Sequence, residues 1–147
     1  MIIYTIGFTQ KNAELFFETI KKNSVQLLVD VRLNNKSQLA GFTKAGDIEY
    51  FLKTICGTEY YHGDEFAPTK ELLKAYQNKE KSWEEYETEF NEILTGRNVC
   101  KRFVQRFNKY DRICLLCSEQ KPDQCHRRLV AEMIKKESED EVGIIHL

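Results

Sequence analysis

Val25-Gln26-Leu27-Leu28-Val29-Asp30-Val31 is an apolar run, too short for a helix and rich in Val and Leu. Hidden on both faces, such a run suits a central strand of a parallel sheet. Upstream, Ile2–Ile6 reads as another buried strand, stopped by Gly7. Between the two, Thr9 is placed to cap a helix that shows Ala13, Phe16, Phe17 and Ile20 on one face. Spacings of three, four and seven residues mark that face as helical.

Downstream the alternation continues. Asn34–Gly46 is polar and punctuated by Gly, so it reads as a loop. Asp47–Ile55 gives a short helix with Ile48, Phe51, Leu52 and Ile55 on one side, and Glu59–Tyr61 a third strand. After the irregular stretch His62–Thr69, three helices are expected at Lys70–Gln77, Ser82–Leu94 and Asn98–Asn108. Ser82 followed by Glu85 is a capping box. Arg112–Cys117 reads as a strand, Pro122–Lys136 as a helix and Val142–Leu147 as the last strand.

Strands alternating with helices predict a three-layer α/β fold. Its central sheet is mostly parallel, with about five strands and helices on both faces. The 147 residues suit one domain spanning 1–147. Net charge is −1, which gives the whole molecule no bias toward nucleic acid or membrane. Five cysteines at uneven spacing do not form a disulfide framework. The start of the chain lacks the basic and apolar regions of a signal peptide, so cytoplasm is the expected location.

In parallel sheets, ligands bind beyond the carboxyl ends of the strands. That rule selects Gly7–Thr9, Asp30–Gly41 and Cys117–Pro122. Cys117-Ser118-Glu119-Gln120-Lys121-Pro122-Asp123-Gln124-Cys125-His126-Arg127-Arg128 is the richest of these. Pro122 suits the first position of a helix. Leu129, Val130, Met133 and Ile134 form the core face of that helix, so Cys125 and His126, four residues earlier, point toward the sheet. A helix N-terminus favours anions, Arg127 and Arg128 add fork-shaped donors, and a cysteine in such a field ionises more readily. The alternative is a small buried cysteine with arginines paired to Glu119 and Asp123.

Cys117-Ser118-Glu119, Pro122 and Cys125-His126-Arg127 together resemble the signature of the domain-of-unknown-function family numbered 488. Tyr4-Thr5-Ile6-Gly7-Phe8-Thr9, Leu28-Val29-Asp30-Val31-Arg32 and the closing Val142–Leu147 with His146 resemble the same family. Many relatives carry His where this chain has Phe8, so no role for that histidine is carried over. The resemblance implies a compact α/β fold and a site built from these motifs, and no reaction.

Other groups have two readings each. Asp30 and Arg32 share one side of their strand end; they either hold and orient an anionic ligand, with Asp30 as a base, or fasten the following loop as a pair. Cys114 and Cys117 spell C-x-x-C, but on a strand they face opposite sides and cannot chelate one ion. A zinc site from Cys117, Cys125 and His126 has suitable donors, with His62 or water as the fourth ligand. Against it, adjacent helical side chains diverge by roughly 100°. Phosphatase spacing is absent: six residues after Cys117 stands Asp123, and six after Cys125 stands Ala131. Asn34-Asn35-Lys36-Ser37-Gln38, with Phe42 and Lys44, reads as a surface loop or a nucleic-acid grip. His62 enters the crevice or is structural; His146, Trp83, Tyr76 and Tyr86 read as core.

The leading expectation is a crevice that recognises a small anionic ligand such as a nucleotide, a phosphorylated metabolite or a nucleic-acid end. Gly7, Thr9, Arg32, His62 and Arg127 are its candidate ligand-binding residues. Asp30, Cys117, Glu119, Cys125 and His126 are its candidate catalytic residues. A binding module with a basic surface of Lys36, Lys44, Arg127 and Arg128, and a metal or redox centre at the cysteines, are the alternatives. The sequence names no cofactor.

Overall fold

The computed structural model describes residues 1–37 and 40–147. The chain runs β1 (Ile2–Gly7), α1 (Ala13–Lys22), β2 (Leu27–Asp30), α2 (Asp47–Phe51), β3 (Glu59–His62), α3 (Lys70–Gln77), α4 (Trp83–Gly96), α5 (Val99–Phe107), β4 (Arg112–Cys117), α6 (His126–Glu137) and β5 (Gly143–His146). The five strands form one sheet in the order β3-β2-β4-β1-β5, and every neighbouring pair is parallel. This is the expected three-layer α/β fold.

Strand alternation divides the side chains between two cores. Leu27, Val29, Ile113, Leu115 and Cys117 face the core covered by α3, α4, α5 and α6. Leu28, Cys114, Leu116, Tyr4 and Ile6 face the core covered by α1 and α2. Cys114 and Cys117 therefore lie in different cores, as strand geometry requires. The chain leaves β1 and β2 for one face and β3 and β4 for the other. Strand β4, lying between β2 and β1, is thus where the connections diverge, the usual place for a ligand crevice.

Local chemistry sets the element ends. Ser82 and Glu85 close the capping box of α4. Asn12 caps α1, its side chain accepting from Leu15 N at 2.8 Å. Thr9, expected in that role, instead binds the carbonyl of Ser118 through both its amide (3.1 Å) and its hydroxyl (2.6 Å). Ala13 is exposed, so the apolar face of α1 narrows to Phe16, Phe17 and Ile20. Helix α2 runs on as a wider turn over Leu52–Cys56 and stops at Gly57, whose φ of 66° suits a residue without a side chain.

Helix α6 begins at His126, later than the sequence suggests. Pro122 lies in the preceding turn, where its carbonyl accepts from Cys125 N at 3.2 Å. His146 is exposed rather than packed, although its Nδ1 lies 2.7 Å from the Thr5 hydroxyl. The expectation for Gln38 lies outside the described residues. No helix among the described residues is long and apolar enough to cross a membrane.

Candidate functional site

A cavity of about 300 Å³ opens beyond the carboxyl ends of β1, β2 and β4. Phe8, Arg32, Cys117, Ser118 and Glu119 reach it from the strand ends, and Gln124, Cys125 and His126 from the approach to α6. Its far wall is aromatic: Tyr76 from α3, and Trp83 and Tyr86 from the first turn of α4. The indole and the Tyr86 ring are stacked 5.2 Å apart. The sequence reading assigns all three rings to the core, and Tyr76 and Trp83 do pack against it while partly buried. Only Tyr86 is fully buried. The missed signal was position, because the start of α4 reaches past the strand ends.

At the floor lie Cys117, Cys125 and His126, all buried, with their donor atoms within 4.8 Å of one another. The expected divergence of Cys125 and His126 does not occur. Cys125 is the N-cap of α6, with extended φ and ψ of −139° and 134°. The helical 100° step therefore does not relate the two side chains, and both turn inward. His126 Nε2 lies 2.7 Å from the carbonyl of Val31. A carbonyl only accepts, so Nε2 carries the proton. That leaves Nδ1 as the available nitrogen, 3.6 Å from Cys117 Sγ.

The two thiols are coupled. A hydrogen bond from Cys125 holds the Cys117 thiol below its ordinary value; burial opposes this, while the Ser118 amide and Arg127 reinforce it. The same hydrogen bond, with burial, pushes Cys125 well up. Burial pushes the other three thiols, Cys56, Cys100 and Cys114, upward.

Arg127 is fully buried and does not line the cavity. Its Nη1 donates to the carbonyl of Glu119 (2.5 Å) and to Cys125 Sγ (3.3 Å), and its Nη2 to the carbonyl of Gln120 (3.2 Å). The Nε atom has no hydrogen-bond partner among the described residues, and no carboxylate pairs with the guanidinium there. Gly7 completes this arrangement. A Cβ at that position would sit 1.7 Å from the Glu119 carbonyl oxygen and 3.2 Å from Arg127 Nη1. Gly7, Thr9 and Arg127 thus fasten the loop after β4, and none of the three faces the cavity.

Asp30 and Arg32 form the buried pair. Arg32 Nε and Nη2 donate to the two carboxylate oxygens at 2.8 and 2.6 Å. The Arg32 amide and the Tyr60 hydroxyl add bonds of 3.1 and 2.8 Å. Four donors fill the lone-pair sites of a carboxylate, so Asp30 has no capacity to act as a base. Arg32 also binds the Thr43 carbonyl at 2.7 Å and lies 5.2 Å over the Phe8 ring. His62, outside the cavity, holds the Arg32 carbonyl through Nε2 at 2.8 Å and is not a neighbour of the cysteines.

The basic surface expected of a nucleic-acid module does not form around this loop. Arg127 is internal, and Arg128 is engaged by Glu132 (2.9 Å) and Glu87 (3.2 Å). Of the sequence candidates, Arg32, Cys117, Glu119, Cys125 and His126 meet at the cavity, whereas Gly7, Thr9, Asp30, His62 and Arg127 stand behind it.

Comparison with curated proteins and with solved structures returns no match. A family model does match, over residues 12–134 of 147, so that the loop, both cysteines and His126 all fall inside it. The chain belongs to the family described as Domain of unknown function DUF488.

Proposed function

We propose that this chain is a thiol-dependent enzyme acting on a small planar substrate of the nucleobase or nucleotide class, with Cys117 as the nucleophile. The observation that carries the reading is Arg127. A guanidinium buried without a carboxylate is costly unless another anion compensates it. No carboxylate among the described residues pairs with Arg127, and the Cys125 thiol lies 3.3 Å away. The anion favoured by the start of α6 and by Arg127 is then the thiolate itself, not the phosphate of a ligand.

His126 serves as base and then acid. Val31 fixes the ring, and Nδ1 takes the Cys117 proton. The sulfur electron pair forms a bond to an electrophilic carbon of the substrate. The leaving group departs with its bonding pair and takes the proton from His126. Phe8, Tyr76, Trp83 and Tyr86 supply flat walls for a ring. The Arg32 charge is already spent on Asp30, so a phosphate would stay at the mouth, near Gln124 and Ser118.

Iodoacetamide labelling tests this directly. At neutral pH Cys117 is expected to react faster than the more exposed Cys56, and nucleosides to slow it. Equal rates, with no protection by any nucleobase, nucleoside or nucleotide, would remove the proposal.

A zinc centre at Cys117, Cys125 and His126 is favoured by one observation, the closeness of the three donors. Catalytic zinc takes three protein ligands and leaves one position open. Arg127 argues against it, because zinc with two thiolates would be a neutral set and would leave the buried, carboxylate-free guanidinium without a counter-ion. Metal analysis of protein purified without chelator decides the matter; near-stoichiometric zinc would replace the thiolate reading.

A further inference from the structure

We infer that Cys117 and Cys125 form a reversible redox pair, closed to a disulfide by hydroperoxides and thereby shutting the cavity's chemistry. The inference rests on the reading of Cys117 as a thiolate. Three further observations support it. Both sulfurs line the same cavity, so a molecule as small as a peroxide reaches them. Their sulfurs lie within 4.8 Å of each other, which places a resolving thiol beside the reactive one. The remaining cysteines are elsewhere: Cys114 lies in the opposite core, Cys56 donates to the Phe17 carbonyl, and Cys100 to that of Ile134.

The chemistry balances within the site. The Cys117 thiolate attacks one peroxide oxygen and the O–O bond breaks. The departing alkoxide or hydroxide takes the proton of the His126 imidazolium, and Cys117 becomes a sulfenic acid. The Cys125 thiol then attacks that sulfur, passing its proton to the hydroxide that leaves as water. One thiolate, one thiol and one imidazolium proton are consumed with one hydroperoxide. One disulfide, one alcohol or water and one further water are produced. Sulfur loses two electrons and the peroxide gains them.

The surroundings also set the direction of exchange. Arg127 and the N-terminus of α6 stabilise the reduced, anionic form. Oxidation removes that charge and leaves the guanidinium buried without a counter-ion. The disulfide is therefore easily reduced, and thiols restore the enzyme. Closure also draws Cys125 Sγ from Arg127 Nη1, the same nitrogen that holds the Glu119 carbonyl.

The test is peroxide treatment of the full chain followed by peptide mapping, with dimedone as the sulfenic-acid probe. The expected result is a Cys117–Cys125 disulfide, lost on treatment with glutathione. Cys125→Ser, shown folded by circular dichroism, is expected to accumulate dimedone adduct on Cys117; Cys125→Ala serves if it is not. A Cys117 that alkylates quickly yet passes under peroxide to sulfinic acid without a disulfide overturns this inference alone. A Cys117 inert to both reagents overturns it together with the thiolate reading. A disulfide that glutathione cannot reduce overturns the assigned redox direction.

Discussion

A guanidinium as deeply buried as that of Arg127 requires a negative charge nearby, and the described residues offer it thiols instead of carboxylates. Replacing it with Met removes the charge while keeping length. The pH at which Cys117 is half-alkylated is then expected to rise, because the Arg127 charge favours the thiolate. An unchanged profile would show that Cys125 and the helix start hold the thiolate alone. Asp30 and Arg32 illustrate the opposite economy, a buried pair with every site filled. Arg32→Met strands the carboxylate and should cost about 3–5 kcal/mol in urea unfolding. On sequence grounds Asp30 has two readings, a base toward a ligand or the partner of Arg32. The sequence shows an acid beside a base at a strand end, but not that Tyr60, thirty residues away, takes the last lone pair.

Elements differ in how openly their sequences announce them. Strand β4 coincides with the apolar run Arg112–Cys117, and the capping box marks the start of α4, because both signals are local. Helix α6 was misread by four residues because its start is set by distant partners. Thr9 and Arg127 pin the carbonyls of residues 118–120, and Pro122–Cys125 then closes as a turn, Cys125 N donating to the Pro122 carbonyl with Cys125 itself extended. For the same reason the inward turn of Arg127 was illegible; an arginine at a helix start ordinarily reads as a solvent or ligand contact. The facing side of His126 is legible, since helical spacing from Val130 gives it; that of Cys125 is not, because Cys125 precedes the helix with extended φ and ψ. Gly7→Ala tests the loop as a unit. Its methyl would collide with a backbone carbonyl, so a loss of about 3 kcal/mol is expected. Loss of rapid Cys117 labelling should accompany it. Ser82→Ala removes only the cap of α4 and should cost about 1 kcal/mol, with labelling unchanged.

For the whole molecule, buried acids govern behaviour in base. Burial pushes up the Cys114 thiol and the Tyr86 hydroxyl, the latter also raised by the charge on Cys117 and Cys125. A group raised in this way keeps its proton more firmly in the native state than in the unfolded chain. Its contribution is intact below the unfolded value and declines as pH climbs above it. Cys117 has the opposite sign; its contribution is present above the unfolded thiol value and fades as pH falls through the native one. Urea unfolding is therefore expected to weaken from about pH 8.5 upward, by ~1.4 kcal/mol per pH unit for each raised group once it ionises in the unfolded chain. Cys114→Val should remove one such increment between roughly pH 8.5 and 10; an unaltered slope would place the alkaline sensitivity elsewhere. The strand order, which the sequence could not supply, carries a separate consequence. Strand β1 pairs with β4 on one side and β5 on the other. A ribosome delivers β1 first and both of its neighbours last. At ordinary synthesis speeds, on the order of ten seconds pass before β4 emerges. For that interval Ile2-Ile3-Tyr4-Thr5-Ile6 is a sticky strand without a partner, and a nascent-chain chaperone would find its client there.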